Sequence, residues 1–464
     1  MAKLKTEKVK IKNEFEGASL GDARLDERLL ETARILNAQP LYCINAAIDD
    51  WKTKKATYRF FSNKKSTPEK ILQPHFAQTK KRMQDWDYVY SIQDTSFLEF
   101  NKHDKMEGLG SIGRYGDDNH IQGLVSHISL AVSCSGLPLG LQSFEIWARP
   151  EEGYGKTDDR DGEKESQKWL RHLDRAKEFY SDRSKMILVA DRESDFFELF
   201  DKIKNEKINA VIRSKHDRYV KGRDLWLTRA LEKASSAGKI TIDDVETTDN
   251  KKRTVVADLK FASVNIEVPG NCQRQYPFGL ELHVVEVYEQ APPEGEKPLY
   301  WRLLTTIDVT DFENAKEIIK HYKMRWNIES YFKVLKSGCK VEDCRLEKAE
   351  RVIRYVAVMS VVAWRIYWTV HVNRLLPKGS WSLVLTQVEY YTLWVRINKK
   401  DIMEKKIPKR PPPDRPWDVR ECVRSIAKLG GFNGRKNDGE PGMTSIWRGW
   451  TRLQDMVEVA EALL

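Results

Sequence analysis

The chain is poor in cysteine, with six in 464 residues and none in a CxxC pair. The closest two, Cys339 and Cys344, have neither a second pair nor a histidine cluster near them. That spacing excludes a zinc-ribbon type of site and fits thiols kept reduced. Long apolar runs are missing too. No window nears the roughly 18 uninterrupted apolar residues of a membrane span. The best stretch, Val352 to Val370, is broken by Arg354 and Arg365. The N-terminus, MAKLKTEKVKIKNE, is basic with no apolar core behind it, so it does not read as a secretory leader. There is no internal repeat and no extended low-complexity tract. What remains is a cytoplasmic globular protein with no membrane partner. It has enough apolar residues (41%) for real cores, and at ~150 residues per domain about three domains. Lys and Arg number 79 against 69 acids, a net charge of +10, and 14 tryptophans are present. Such a surface suits a polyanionic partner. Charge alone does not separate DNA, RNA and simple solubility.

Along the chain, residues 17–65 read as short amphipathic helices. Ser19 or Asp22 caps a segment with Leu25, Leu29, Leu30, Ala33 and Leu36 at helical spacing. A second segment, Asn45 to Phe61, carries Lys52, Lys54, Lys55 and Arg59. This basic module suits DNA, or is a solvated charged face. Pro68 marks a boundary. Strands are expected at Tyr88 to Phe100, His127 to Val132, Leu139 to Trp147, Met186 to Ala190 and Asn209 to Arg213. Helices are expected at Glu163 to Tyr180 and Phe196 to Ile203, which together indicate a mixed α/β sheet. Short alternating stretches from 215 to 300, punctuated by Pro269-Gly270 and Pro292-Pro293, suggest an all-β insertion. Long helices follow at Asp311 to Ser337 and Lys348 to Arg374. A basic, proline-rich linker, Lys405 to Pro416, leads into a helical C-terminal module.

Three carboxylates stand out. Asp94 lies in the first strand, where an ionised group is costly unless paired or bound to metal. Asp191 directly follows the run MILVA, at the C-terminal end of a strand where α/β sheets keep their ligand crevice. Singly, each also suits a cap or turn. On the helix from 311 to 337, at about 100° per residue, Tyr322, Arg325, Glu329, Lys333 and Lys336 share an arc of roughly 80°. Met324, Ile328, Tyr331 and Leu335 gather opposite as a core seam. A solvated face with i,i+4 pairs would look similar. The coincidence with two strand aspartates and with Trp301, Trp326 and Trp364 favours a site. Three carboxylates suit hard Mg²⁺ or Mn²⁺. Two such ions would serve phosphodiester chemistry, with the cationic side chains clamping phosphates.

Tyr322-x2-Arg325-x3-Glu329-x6-Lys336 resembles the Tyr-Arg-Glu-Lys signature of bacterial cut-and-paste insertion-sequence DDE transposases, which have a ribonuclease H-like fold. IQDTSFL around Asp94, EKESQKW at 163–169, ADRESD around Asp191, RSKH at 213–216 and HYKMRWNIESYFKVLKSG agree in order and spacing. The likeness is close to the transposon-five type and spans nearly the whole chain, from LGDARLDERL to KLGGF. It implies Asp94, Asp191 and Glu329 as catalytic, metal-binding residues. DNA contacts are implied at Tyr58, Arg59, Arg213, Lys215, His216, Trp301, Tyr322, Arg325, Trp326, Lys333, Lys336 and Arg345. Ends would be nicked, closed into a hairpin with an extruded base stacked on Trp301 or Trp326, reopened and joined to target DNA.

The implied domains are a DNA-end-recognition module (1–67), a catalytic ribonuclease H-like core (68–214 and 301–373), a β-rich insertion (215–300) and a linker with a dimerisation module (374–464). In the last, Trp450, Leu453, Val457 and Ala460 form an apolar stripe that could seat a partner or pack internally. Implied partners are double-stranded DNA (transposon ends and target) and a second copy of the chain, in a bacterial nucleoid. A non-catalytic DNA-binding regulator and a structure-specific nuclease are the competing readings.

Overall fold

The computed structural model describes residues 9–101, 105–115, 119–150, 164–221, 225–234, 236–249, 251–270, 272–276, 278–406, 411 and 415–462. Glu163, which was to open a helix, and most of the expected 405–416 linker lie outside the described residues.

Short helices come first: α1 (Ile11–Phe15), α2 (Ala23–Ala38), α3 (Ile44–Ala47), α4 (Trp51–Ser62) and α5 (Pro68–Met83). The side chains of Asp22, Asp50 and Thr67 cap α2, α4 and α5 by accepting from first-turn N–H groups. The single segment expected over 45–61 is therefore two helices, because Asp50 starts a new one. Pro68 opens α5 at its first position, where a missing N–H costs nothing. Strands β1 (Val89–Glu99), β2 (Gly110–Tyr115), β3 (Asn119–Ser133) and β4 (Pro138–Trp147) follow, then α6 (Gln167–Lys177), β5 (Met186–Ala190), α7 (Phe197–Asn205) and β6 (Asn209–Arg213). The expected insertion holds β7 (Tyr219–Val220), β8 (Leu225–Trp226), α8 (Leu227–Glu232), β9 (Gly238–Glu246), β10 (Lys252–Ile266) and β11 (Leu280–Tyr288). It is not all-β, since α8 buries Leu227, Ala230 and Leu231. After β12 (Tyr300–Thr305) come α9 (Phe312–Lys323), α10 (Trp326–Lys333), α11 (Ala349–Leu375), α12 (Gln387–Ile397), α13 (Lys399–Met403), α14 (Val419–Leu429) and α15 (Met443–Ala462).

The chain forms two compact units. One comprises Asp87–Asp94 and Gly162–Ile328. Its sheet is mixed: β1, β5 and β6 run parallel, and β12, β11 and β10 continue antiparallel. The insertion is thus joined edge-on through β11 and β12, with Val284 opposite Leu304. All five residues of β5 are buried, as expected for a central parallel strand covered on both faces. Trp169, Leu173, Leu188, Phe200, Val284 and Leu304 share its core.

The other unit comprises Met1–Trp86, Thr95–Asp161 and Glu329–Leu464. At its centre is α11, packed on β4, α2, α4, α5, α14 and α15. By length and composition it is the one helix among the described residues that could cross a membrane, and 94% of its most apolar window is buried inside the fold. Its arginines tie the N-terminal helices down. Arg354 Nη1 donates to the Phe61 carbonyl at 2.9 Å and Arg365 Nη1 to Asn37 Oδ1 at 3.1 Å. A second buried network joins α1, α5 and β4. Arg82 donates to both carboxylate oxygens of Glu14 at 2.8 and 3.1 Å and, through Nε, to the Leu139 carbonyl. The Leu141 N–H donates to His75 Nε2, so the ring proton sits on Nδ1 and is donated to Glu14 Oε2 at 2.6 Å.

The apolar stripe of α15 faces inward. Trp450, Leu453 and Val457 are buried in their own chain, and Trp450 Nε1 donates to the Asn37 carbonyl of α2 at 2.9 Å. Ala460, at its end, is half-buried. The three buried residues form a core seam, held further by the Arg365 guanidinium 4.5 Å above the Trp450 ring. Helices α14 and α15 approach closely enough that a Cβ on Gly449 would stand 1.8 Å from the Ile426 carbonyl oxygen. Gly449→Ala is expected to lower unfolding stability by about 2 kcal/mol through overpacking, measured by denaturant titration. An unchanged midpoint would mean the helices slide apart freely.

Candidate active site

Strands β1 and β5 pair in parallel with Val89 opposite Met186 and Ile92 opposite Val189. Carried two residues on, the same offset brings Asp94, in the middle of β1, toward Asp191, which directly follows the last residue of β5, on neighbouring strands about 4.8 Å apart. Asp191 ends its strand as a cap: its Oδ1 accepts the Glu193 N–H at 2.9 Å, and its carbonyl accepts Ser194 Oγ–H at 2.7 Å. Burial pushes the Asp191 carboxyl above its ordinary range, and the nearby Glu193 charge adds to this. Asp94 is compensated by Arg325, whose Nη1 lies 3.4 Å from Asp94 Oδ2.

The helix expected over 311–337 is interrupted. After Lys323 the Met324 and Arg325 N–H groups bond three residues back, to His321 and Tyr322, which tightens the turn. The Met324 carbonyl accepts both the Asn327 backbone N–H at 3.0 Å and Asn327 Nδ2 at 2.8 Å. Residues Val334–Gly338 then form a π-helical turn. The arc drawn on one straight helix is therefore altered at both ends. Ile328, Tyr331 and Leu335 are buried as the seam requires, and Met324 partly so. Tyr322, placed on the polar side, is buried as well.

Tyr322 sits edge-on to Trp301, ring centroids 5.4 Å apart, and both are under 7% exposed. Trp301 is thus a core aromatic of β12 in this conformation, whereas Trp326 is 44% exposed, with the Arg325 guanidinium 5.6 Å from its ring. Arg213, at the end of β6, donates through Nη2 to the Tyr300 carbonyl at 2.9 Å. Burial lowers its pKa. Lys215 and His216 are exposed on the following loop.

The unit boundary falls inside α10, after Ile328, so Glu329 is counted with the second unit. There Lys333 is exposed, and Lys336 Nζ donates to the Phe97 carbonyl at 2.8 Å and pairs with Glu342 at 3.2 Å. Arg345, with Tyr42, Cys43, Ala46, Lys105 and Lys340, lines an open concavity of about 790 Å³. Tyr58 donates to Asn45 Oδ1 at 3.0 Å, its phenol raised by burial, and Arg59 is exposed.

Sequence reasoning passed over three residues. Lys168 on α6, only 4% exposed, reaches Glu193 Oε2 at 3.2 Å. Glu342 ties the Glu99 N–H to Lys336. Asp195, 2% exposed, holds the loop that carries Lys215 and His216. The motif ADRESD contains Asp195, but its partner lies more than twenty residues on, beyond any periodic signal.

Among the described residues, no group of three or more His, Cys, Asp or Glu side chains is gathered to hold a metal. Asp94 and Asp191 nevertheless fit a divalent cation chemically. They are hard oxygen donors, one has its charge disfavoured by burial, and the other is already held against a cation.

Comparison with protein families adds three matches in chain order. Residues 10–66 match a family described as transposase DNA-binding, 147–364 a transposase DDE domain, and 361–463 a transposase Tn5 dimerisation domain. Asp191 and Glu329 fall within the DDE match, and Asp94 lies upstream of it. The DNA-binding and dimerisation matches imply DNA and a second copy of the chain as partners. DDE transposases use a divalent metal. The chain belongs to the Tn5-type transposases, DNA-binding DDE enzymes of DNA transposition with nuclease and strand-transferase activity.

Proposed function

We propose that Asp94, Asp191 and Glu329 form one ligand set for Mg²⁺, with Mn²⁺ able to substitute and two ions per site. The reading is supported chiefly by the parallel register of β1 and β5, whose offset, carried past Ile92 opposite Val189, brings Asp94 toward Asp191. Bound divalent ions would lower the pKa of the attacking hydroxyl and stabilise the leaving oxygen. In the first step water attacks the phosphorus at the transposon end, the P–O3′ bond breaks, and a 3′-hydroxyl is released. That hydroxyl then attacks the phosphorus of the opposite strand, its proton going to solvent; the P–O3′ bond to the flanking DNA breaks, the flanking strand leaves with a 3′-hydroxyl, and the end closes into a hairpin. Water attacks the hairpin phosphorus and breaks its P–O3′ bond, and the freed 3′-hydroxyl attacks a target phosphorus, where a target 3′-hydroxyl leaves.

Arg325, Lys333 and Lys336 supply cations for the phosphates beside the scissile bond, with Tyr322 behind them. Arg325 exchanges Asp94 for a phosphate when DNA enters, since the guanidinium suits either anion. Trp326 is the platform open to an extruded base, and Trp301 accepts one once Tyr322 gives way. Arg213, Lys215, His216 and Arg345 hold the flanking backbone, while Tyr58 and Arg59 read the end sequence. Two chains pair two ends.

Incubating the purified chain with paired end DNA and Mg²⁺ is expected to yield nicked, hairpin and then joined products on denaturing gels, and chelation is expected to abolish all three. Nicking without joining would favour a structure-specific nuclease. Metal-independent binding without nicking would favour a regulator.

A further inference from the structure

A single tight turn separates Asp191 from Asp195. Ser194 N–H donates to the Asp191 carbonyl at 3.3 Å and Asp195 N–H to the Arg192 carbonyl at 3.3 Å, so the two carboxylates leave one rigid 3₁₀ segment. Asp195 then turns away from solvent. Its Oδ2 accepts the backbone N–H groups of Lys215 at 2.6 Å and His216 at 3.0 Å, and its Oδ1 accepts Arg218 Nη2 at 2.6 Å. The Ser214 hydroxyl lies 3.5 Å from the same Oδ2 and donates to the His216 carbonyl at 3.1 Å. Arg218, itself 9% exposed, also binds the Asp195 carbonyl at 3.0 Å. A buried carboxylate with this many donors fixes a loop firmly, because losing it leaves several N–H groups unpaired. The loop it fixes ends in two exposed cationic or ionisable side chains, Lys215 and His216.

We propose that Asp195 is a positioning residue: it locks the Lys215–His216 loop to the turn bearing Asp191, so that phosphate contacts and catalytic carboxylate keep one spacing. This rests on the reading of Lys215 and His216 as DNA contacts. In Asp195→Asn, one oxygen can still receive the two backbone N–H groups, but the amide nitrogen faces Arg218, donor against donor. The loop loosens while the chain's other contacts remain.

The test uses the full-length chain with end DNA and Mg²⁺. Asp195→Asn is expected to lower the single-turnover cleavage rate at saturating DNA by tenfold to about a hundredfold, the scale of a small misplacement, with end affinity little changed. In a double-mutant cycle with Lys215→Ala and His216→Ala the losses are expected to be less than additive. Normal cleavage in Asp195→Asn, with losses in the two alanine variants, would overturn the positioning role alone. Unchanged cleavage in both alanine variants would overturn the contact reading, and the positioning role with it. Hydrogen exchange on the unaltered protein checks the same point without a mutation. The Lys215 and His216 amides are expected to be protected although their side chains are exposed, and rapid exchange at both would overturn the proposal.

Discussion

Asp191→Asn is expected to lower single-turnover cleavage of end DNA by about a thousandfold or more while end binding stays within a few fold. The substitution is informative because it changes so little else. An asparagine oxygen can still accept the Glu193 N–H that Asp191 accepts at 2.9 Å, so the turn survives and the loss falls on the missing charge. Asp94→Asn removes a charge too, but it also releases Arg325 from its 3.4 Å pairing, so its binding effect is expected to be larger. Glu329→Gln, half-buried on a helix whose other side is core, is expected to match Asp191→Asn. Binding by fluorescence anisotropy and cleavage by rapid quench separate the two effects. Cleavage within tenfold of the parent in any of the three would remove that residue from the ligand set.

The second large effect concerns folding. Glu14→Gln is expected to cost about 3–5 kcal/mol, because it leaves the half-buried Arg82 guanidinium without its buried anion. Burial alone would raise the Glu14 pKa, but the charge of Arg82 and the hydrogen bonds from His75 and Arg82 bring it down to about 2. Its folded value is below its unfolded one, so its contribution is present above the ordinary glutamate range and lost as pH falls toward 2. The shift corresponds to roughly 3 kcal/mol. His75, its pKa lowered by burial, acts in the same direction, since it must stay neutral for Nε2 to accept the Leu141 N–H. Stability measured by urea titration is expected to fall between about pH 4.5 and pH 2 in the parent, and less steeply in Glu14→Gln. Equal slopes in the two proteins would contradict this.

Much of the framework was legible because local chemistry and tertiary role agree. MILVA is apolar throughout because its strand is covered on both faces, and the polar residue that ends it had to be Asp191 or something like it. Asp22, a cap candidate by type, caps. The break at Met324 was not legible, since neither glycine nor proline marks it; the Asn327 backbone N–H and side chain both answer the Met324 carbonyl. Trp301 and Tyr322 show another limit. A motif pairs them with DNA, but the burial of both rings against each other depends on β12 meeting α9, which no helical projection contains. The α15 stripe shows a third. Periodicity says that a face is covered, not by what, and here the cover is the chain's own α2. Asp195 was hidden for a related reason, as its significance lies in Arg218 and two amides distant along the chain.

In the proposed ligand set, three carboxylates from separate segments share divalent cations. The most direct measurement is anomalous scattering from Mn²⁺ in crystals of the chain bound to its end DNA. Oxygens of Asp94, Asp191 and Glu329 are expected about 2.1 Å from the bound ions, with at least one ion shared between two of the residues. Manganese held beside the scissile phosphate without any one of these three carboxylates would contradict the account.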